Sequence, residues 1–351
     1  MSHVGVRLTV ADLEERLRRL PRVSLAHLPT PLEEARRLSD RLGGPRILIK
    51  RDDFTGLALG GNKPRKLEFL MADAIAQGAD AIVISAAAQS NMVRMTSAAA
   101  AKLGLDIYPV LRGTADAQVQ GNLLLDYLFG ANITFIDTTD PYSQLSLDRM
   151  NAIMADLRAK GRKPYVIDMR YASGALAAIG FVAASVELAR QLAAMAIQPS
   201  HLFLSTGSGT TQAGLIVGAA LLGVGYQVVG ISVQQPSDKM IPRIAEKSKG
   251  AAALLGIDEP LPESRIILED GYVGEAYGVP TAAGTEALKI LARSEGIILD
   301  PVYTGKGMSG LIGWIRQGRL SRDDTVVFLH TGGVPALFAY SHLLAHALQE
   351  K

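Results

Sequence analysis

The chain has 351 residues, 36 basic against 34 acidic side chains for a net charge of +2, and 48% hydrophobic residues; this length fits about two domains, and the charge balance gives no argument for nucleic acid or an anionic membrane as partner. The absence of cysteine excludes disulfides, thiolate metal sites and a cysteine nucleophile, and six unclustered histidines leave no metal site to expect. No apolar run reads as long enough to span a membrane and the N-terminus lacks a signal-peptide layout, so a cytoplasmic protein is expected. In chain order, residues 11–20 have the period of a short charged helix. Thr30-Pro31-Leu32-Glu33-Glu34 predicts a second helix, with Thr30 as cap, Pro31 at the first position and the acids in the first turn, ending near Gly43-Gly44. A strand over 47–52 leads into Gly60-Gly61-Asn62-Lys63-Pro64-Arg65-Lys66. From there apolar runs at 81–85, 107–111, 133–136, 165–167, 201–205, 227–233, 266–268 and 325–330 alternate with helical periods such as 65–76, 91–103, 145–159, 175–194 and 211–222. This alternation predicts an α/β protein with parallel sheets covered by helices on both faces. Ligands of such sheets bind at the carboxyl ends of the strands.

Four loops at predicted strand ends carry polar side chains. In the first, two glycines and an asparagine relax the backbone just before Lys63, and the helix start that follows favours anions. Schiff-base chemistry needs an amine that loses its charge readily, and a lysine at such a turn is placed for it; a solvated turn lysine is the plainer alternative. Gln89-Ser90-Asn91 opens the next helix, where Ser90 serves either as a cap or as a hydroxyl presented to the same sheet edge. Ser205-Thr206-Gly207-Ser208-Gly209-Thr210-Thr211-Gln212-Ala213-Gly214 follows a strand and precedes a helix. Its exposed N–H groups and hydroxyls suit a phosphate, while it lacks the Gly-Lys-Ser/Thr of a Walker loop and the third glycine of a dinucleotide fingerprint. Asp300 to Met308, with Tyr277 upstream, brings tyrosines that either anchor loops or pack on a flat ring. His330-Thr331-Gly332-Gly333 ends the last strand, and His330 reads as structural. A Schiff-base lysine, a phosphate cradle and a tyrosine-bearing pocket together suit pyridoxal 5'-phosphate, which needs a separate protein group for its aldehyde, phosphate and ring.

These pieces, together with Leu28-Pro29-Thr30-Pro31-Leu32, Ile49-Lys50-Arg51-Asp52-Asp53 and Arg65-Lys66-Leu67-Glu68, resemble the fold-type II pyridoxal-phosphate enzymes, and among them the 1-aminocyclopropane-1-carboxylate deaminase / D-cysteine desulfhydrase family. The resemblance spans nearly the whole chain in family order. It implies a two-domain, tryptophan synthase β-like fold, with residues 64–172 inserted as a smaller domain into a larger one made of 1–63 and 173–351, and a homodimer. It also implies that Lys63 carries the cofactor, that Asn91 bonds its ring oxygen, and that Thr206, Gly207, Ser208, Gly209, Thr210 and Thr211 hold its phosphate. Ser90, Tyr277 and Tyr303 match the family's active-site serine and tyrosines, and Gln89 and Ser90 would meet the substrate. At Thr304, set against the ring nitrogen, the deaminases carry glutamate and the desulfhydrases threonine. A neutral hydroxyl gives a weaker electron sink, which suffices when a good β leaving group departs. The expected activity is therefore α,β-elimination of a small D-cysteine- or cysteate-like amino acid to a 2-oxo acid and ammonia. The alternatives are the deaminase, an amino-acid racemase and a pyridoxal-phosphate-binding protein without catalysis. Two stretches depart from the family pattern: Met92 and Met95 replace polar residues, and 168–174 carries Arg170 and Tyr171 where relatives have small ones. Arg170 could bind an anionic substrate group.

Overall fold

Ten strands form two sheets in a computed structural model, which describes residues 6–114, 116–140, 142–169, 173–258 and 263–349. The strands are β1 Leu32–Glu34, β2 Arg46–Arg51, β3 Ala81–Ala87, β4 Asp106–Arg112, β5 Thr134–Ile136, β6 Pro164–Ile167, β7 His201–Thr206, β8 Gln227–Ser232, β9 Ile267–Glu269 and β10 Thr325–His330. The larger sheet has the order β1-β2-β10-β7-β8-β9 and the smaller β5-β4-β3-β6. All neighbours are parallel except the edge strand β1, which runs antiparallel to β2. The α/β expectation holds. Residues 81–167 supply the smaller sheet, and strands from both sides of that stretch supply the larger.

Parallel strands covered on both faces are apolar throughout, and each face has its own core. In β2, Leu48 faces one cluster with Phe181, Leu204 and Val327, while Ile47 and Ile49 face another with Phe203, Leu311 and Trp314. The smaller sheet packs Ile82 and Ile84 against the helices Lys63–Ala76 and Asn91–Leu103, and Val83 against the helix Gln144–Ala159.

The helix expected at Thr30 is instead the start of β1. Residues 32–34 pair with β2, and the helix begins only at Arg36. Thr30 is buried, and its hydroxyl donates to Asp52 at 2.9 Å rather than capping. One helix, Gly174–Ala194, is long and apolar enough, by length and composition alone, to cross a membrane, where no run of that length was expected. Here it is the central core helix. It lies between the helix Lys63–Ala76 and the helix Thr210–Leu222, in contacts so close that glycine is required. A Cβ on Gly180 would stand 2.1 Å from the carbonyl oxygen of Arg65, and one on Gly214 would stand 2.1 Å from that of Ala178. Two helices that begin at the lysine turn and at the Ser205–Gly214 loop are thus fixed through a third.

Candidate active site

The carboxyl ends of the two sheets face a common cavity. On the larger sheet, β2 leads to Asn62, Lys63 and Lys66, β7 to residues 205–209 with Thr211 and Gln212, and β10 to Thr331. From the smaller sheet come the end of β3 with Ser90 and Met92, Arg112 at the end of β4, and residues 167–169 after β6. Tyr277, Tyr303 and Gln234 complete the wall.

The lysine turn is held from several sides. Gly60 (φ +72°) and Gly61 (φ +125°) adopt conformations that disfavour a side chain, and a Cβ on Gly60 would lie 1.8 Å from the Asp53 carbonyl oxygen. Arg94, fully buried, donates to the Gly60 carbonyl at 2.9 Å. The backbone N–H of Asn62 donates to Thr331 at 3.0 Å, and its side-chain amide donates to Thr211 Oγ1 at 3.3 Å. Asn62 therefore ties the lysine turn directly to the hydroxyl-rich loop. Just beyond, Arg65 forks onto Asp52 at 2.8 and 2.9 Å and onto Glu187 at 2.9 and 3.0 Å. Lys50 also pairs with Glu187. These cations hold Glu187 down to about 2 against the upward push of its burial.

Lys63 is half-buried and lines the cavity. Its Nζ makes no hydrogen bond among the described residues and lies 5.9 Å from the centre of the Tyr303 ring. Burial lowers its pKa to about 8, with Asp300 opposing the shift and Arg94 adding to it. The phenols of Tyr277 and Tyr303 share a short hydrogen bond, and burial pushes both pKa values up. Ser90 caps the helix Asn91–Leu103, accepting from Met92 and Val93 N–H at 3.2 and 3.3 Å, so its own proton stays available toward the cavity. The cap reading holds, and the hydroxyl lines the cavity, but from the end of the smaller sheet rather than from the sheet edge that carries Lys63.

Not every expected residue reaches the wall. Thr304 is fully buried; its hydroxyl donates to Asp300 Oδ1 at 2.7 Å, and the Asp300 carboxylate also accepts from the N–H groups of Val302, Tyr303 and Thr304. Gln89 spends its amide on the Gln120 carbonyl and the Asn122 N–H, bracing the helix Gly121–Leu128. Asn91 accepts from Asn122 Nδ2 at 2.9 Å, which leaves its own NH₂ unused in that contact. Thr210 is buried beside Ser208, the two oxygens 3.2 Å apart. Arg170 lies outside the described residues. His330 is structural: Gly332 N–H donates to its Nδ1, and its Nε2 then donates to the Ile298 carbonyl.

Two lysines were missed. Lys66 is almost wholly buried, lines the cavity and has its pKa driven well below the ordinary value by burial and by Lys63 and Lys247. Its spacing of three residues from Lys63 puts both amines on one helix face, a signal the sequence did contain. Lys247, in the helix Ser237–Leu254, is buried, and its Nζ donates to the Ser208 carbonyl at 2.6 Å. Nothing in its local sequence marks it.

This donor set fits pyridoxal phosphate. An unbonded amine of lowered pKa suits an aldehyde, and hydroxyls with N–H groups at a helix N-terminus, backed by Lys66, suit a dianion. The phenol pair and Ser90 surround the remaining space.

A family model described as "Pyridoxal-phosphate dependent enzyme" matches residues 23–332. The chain belongs to the fold-type II pyridoxal-phosphate enzymes of the D-cysteine desulfhydrase / 1-aminocyclopropane-1-carboxylate deaminase family. It is 44% identical over 334 residues to the D-cysteine desulfhydrase of Yersinia pestis (strain Pestoides F), covering 93% of this chain and 98% of that one. It is also 44% identical to that of Salmonella choleraesuis (strain SC-B67), covering 92% and 97%. The solved structure of an ACC deaminase homologue superposes with a TM-score of 0.87 at 36% identity, covering 95% of this chain and 98% of that one. Escherichia coli diaminopropionate ammonia lyase, at TM-score 0.68 and 15% identity, shares the fold. The protein is a pyridoxal-phosphate-dependent lyase.

Proposed function

We propose that the substrate is a small amino acid with a good leaving group on its β carbon, D-cysteine first, cleaved to a 2-oxo acid, ammonia and the freed β substituent. The observation that carries this reading is Lys63: a half-buried amine with no hydrogen-bond partner among the described residues, opening onto the same cavity as the hydroxyl-rich loop and the two tyrosines. The names of the relatives supply D-cysteine. Pyridoxal phosphate, when bound, supplies an electron sink for charge developing at the α carbon.

In this reading Lys63 is the attachment point and, once released, takes the α proton. A pKa of about 8 leaves about a tenth of it neutral at pH 7, against far less than a hundredth for an ordinary lysine. Residues 206–209 and Thr211, with Lys66, would hold the phosphate, while Thr210 and Asn91 support the wall from behind it. Ser90 Oγ–H binds the substrate. One phenol proton of the Tyr277–Tyr303 pair bonds the partner oxygen, and the other is left to donate to the departing sulfur. Thr304 brings no carboxylate of its own: it is buried behind the wall, and its hydroxyl is committed to Asp300. Gln89 positions this wall through the Asn122 N–H. The test is a panel of D-cysteine, L-cysteate, β-chloroalanine, serine and 1-aminocyclopropane-1-carboxylate. Ammonia and a 2-oxo acid from D-cysteine are expected; release from the cyclopropane substrate alone would assign the deaminase, and none from any compound would refute the lyase.

We also infer that residues 64–172 act as the inserted smaller domain, and that the enzyme is a cytoplasmic homodimer without nucleic-acid or membrane partners. What supports the dimer is exposed apolar surface: Leu124, Tyr127 and Leu128 of the helix Gly121–Leu128 are exposed, and that helix packs against the helix Val334–Ala339, whose Phe338 is exposed too.

A further inference from the structure

We propose that Lys247 is a positioning residue for the phosphate, holding the Ser208–Gly209 peptide so that its N–H points into the cavity. The proposal rests on the reading of the site as a pyridoxal-phosphate site. A trans peptide directs its C=O and its N–H to opposite sides. Lys247 Nζ grips the Ser208 carbonyl at 2.6 Å from the helix Ser237–Leu254. The Gly209 N–H must then point the other way, and Gly209 lines the cavity. The same helix fixes Gly209 itself: φ is +81°, and a Cβ there would come within 2.6 Å of Ile244 Cγ1.

The lysine stem is locked as well. Gly174, at the start of the central helix, leaves the space it fills, since a Cβ there would stand 2.7 Å from Lys247 Cε. Lys247 is only 5% exposed, and the charges around it are Arg243, Glu246, Asp168 and the cavity-lining Lys66. Asp168 belongs to the cavity wall after β6. Lys247 thus joins the phosphate loop to the point where the chain returns from the smaller sheet. It touches the loop from behind and acts through it.

The test is a titration of the full-length protein, stripped of cofactor by dialysis against an amine, with pyridoxal 5'-phosphate and with pyridoxal, which lacks the phosphate. The Lys247→Met protein should bind the phosphate form about tenfold more weakly, one charge-assisted hydrogen bond's worth of orientation, and bind pyridoxal as the parent does. Equal losses for both ligands, or no loss for either, would overturn the assignment. Should K247M fail to fold, K247Q gives the same comparison, with selective loss expected and equal loss contradicting it. If the parent protein itself develops no visible absorbance with pyridoxal 5'-phosphate, the cofactor reading fails, which is a different result from a selective defect in the variant.

Discussion

At the scale of single residues, burial converts ordinary side chains into reagents. Lys63 is the clearest case: its amine loses solvation, and the carboxylate of Asp300 only partly offsets that. The sign follows from the lowered pKa. Below about 8 the amine is mostly charged and cannot attack an aldehyde; above it the neutral form dominates. The rate at which stripped protein captures pyridoxal phosphate should therefore rise tenfold per pH unit from 6 and level off above about 8, where a lysine of ordinary pKa would still be rising at 10. Stopped-flow absorbance reads this directly. Thr304 gives a second test. Its hydroxyl donates to a buried carboxylate, so Thr304→Glu sets a second carboxylate against Asp300 and should cost about 2 kcal/mol or more in a urea melt. An unchanged midpoint would show that the glutamate finds another place.

Among the elements, the lysine and the loop are held in register by three helices crossing at glycine. Gly214→Ala drives a methyl group into the Ala178 carbonyl, and Gly180→Ala does the same at Arg65. Each should destabilise by about 1–3 kcal/mol and weaken cofactor binding, seen as a lower melting temperature and a higher Kd. The ion cluster under the lysine turn makes a parallel point. Arg65→Met leaves Asp52 and Glu187 short of a partner and should cost about 3–5 kcal/mol in chemical denaturation. Much at this scale was legible in the chain. Gly60-Gly61 and Ser90 announced a tight turn and a helix cap, because positive φ and capping are local demands. The helix expected at Thr30 was not there, because pairing with β2 outweighed a good local cap signal. Lys247 was invisible for the same kind of reason: its burial comes from the packing of two distant helices, and no local spacing records that.

For the molecule as a whole, two sheets with opposed carboxyl edges create the site, and neither sheet alone contains it. The alternation of strands and helices made that architecture readable, while the commitment of Gln89, Asn91 and Thr304 to hydrogen bonds away from the wall was not. The exposed apolar surface of Leu128 and Phe338 belongs to this scale. Phe338→Glu with Leu128→Glu should convert a dimer to a monomer by light scattering, and an unchanged mass would place the interface elsewhere. The most direct measurement treats the intact protein, loaded with pyridoxal phosphate, with borohydride and maps the modified peptide by mass spectrometry. The account predicts a phosphopyridoxyl group on Lys63 alone, and its disappearance together with ammonia release in Lys63→Ala. The group on Lys66 or Lys247 instead, or full turnover in Lys63→Ala, would contradict it.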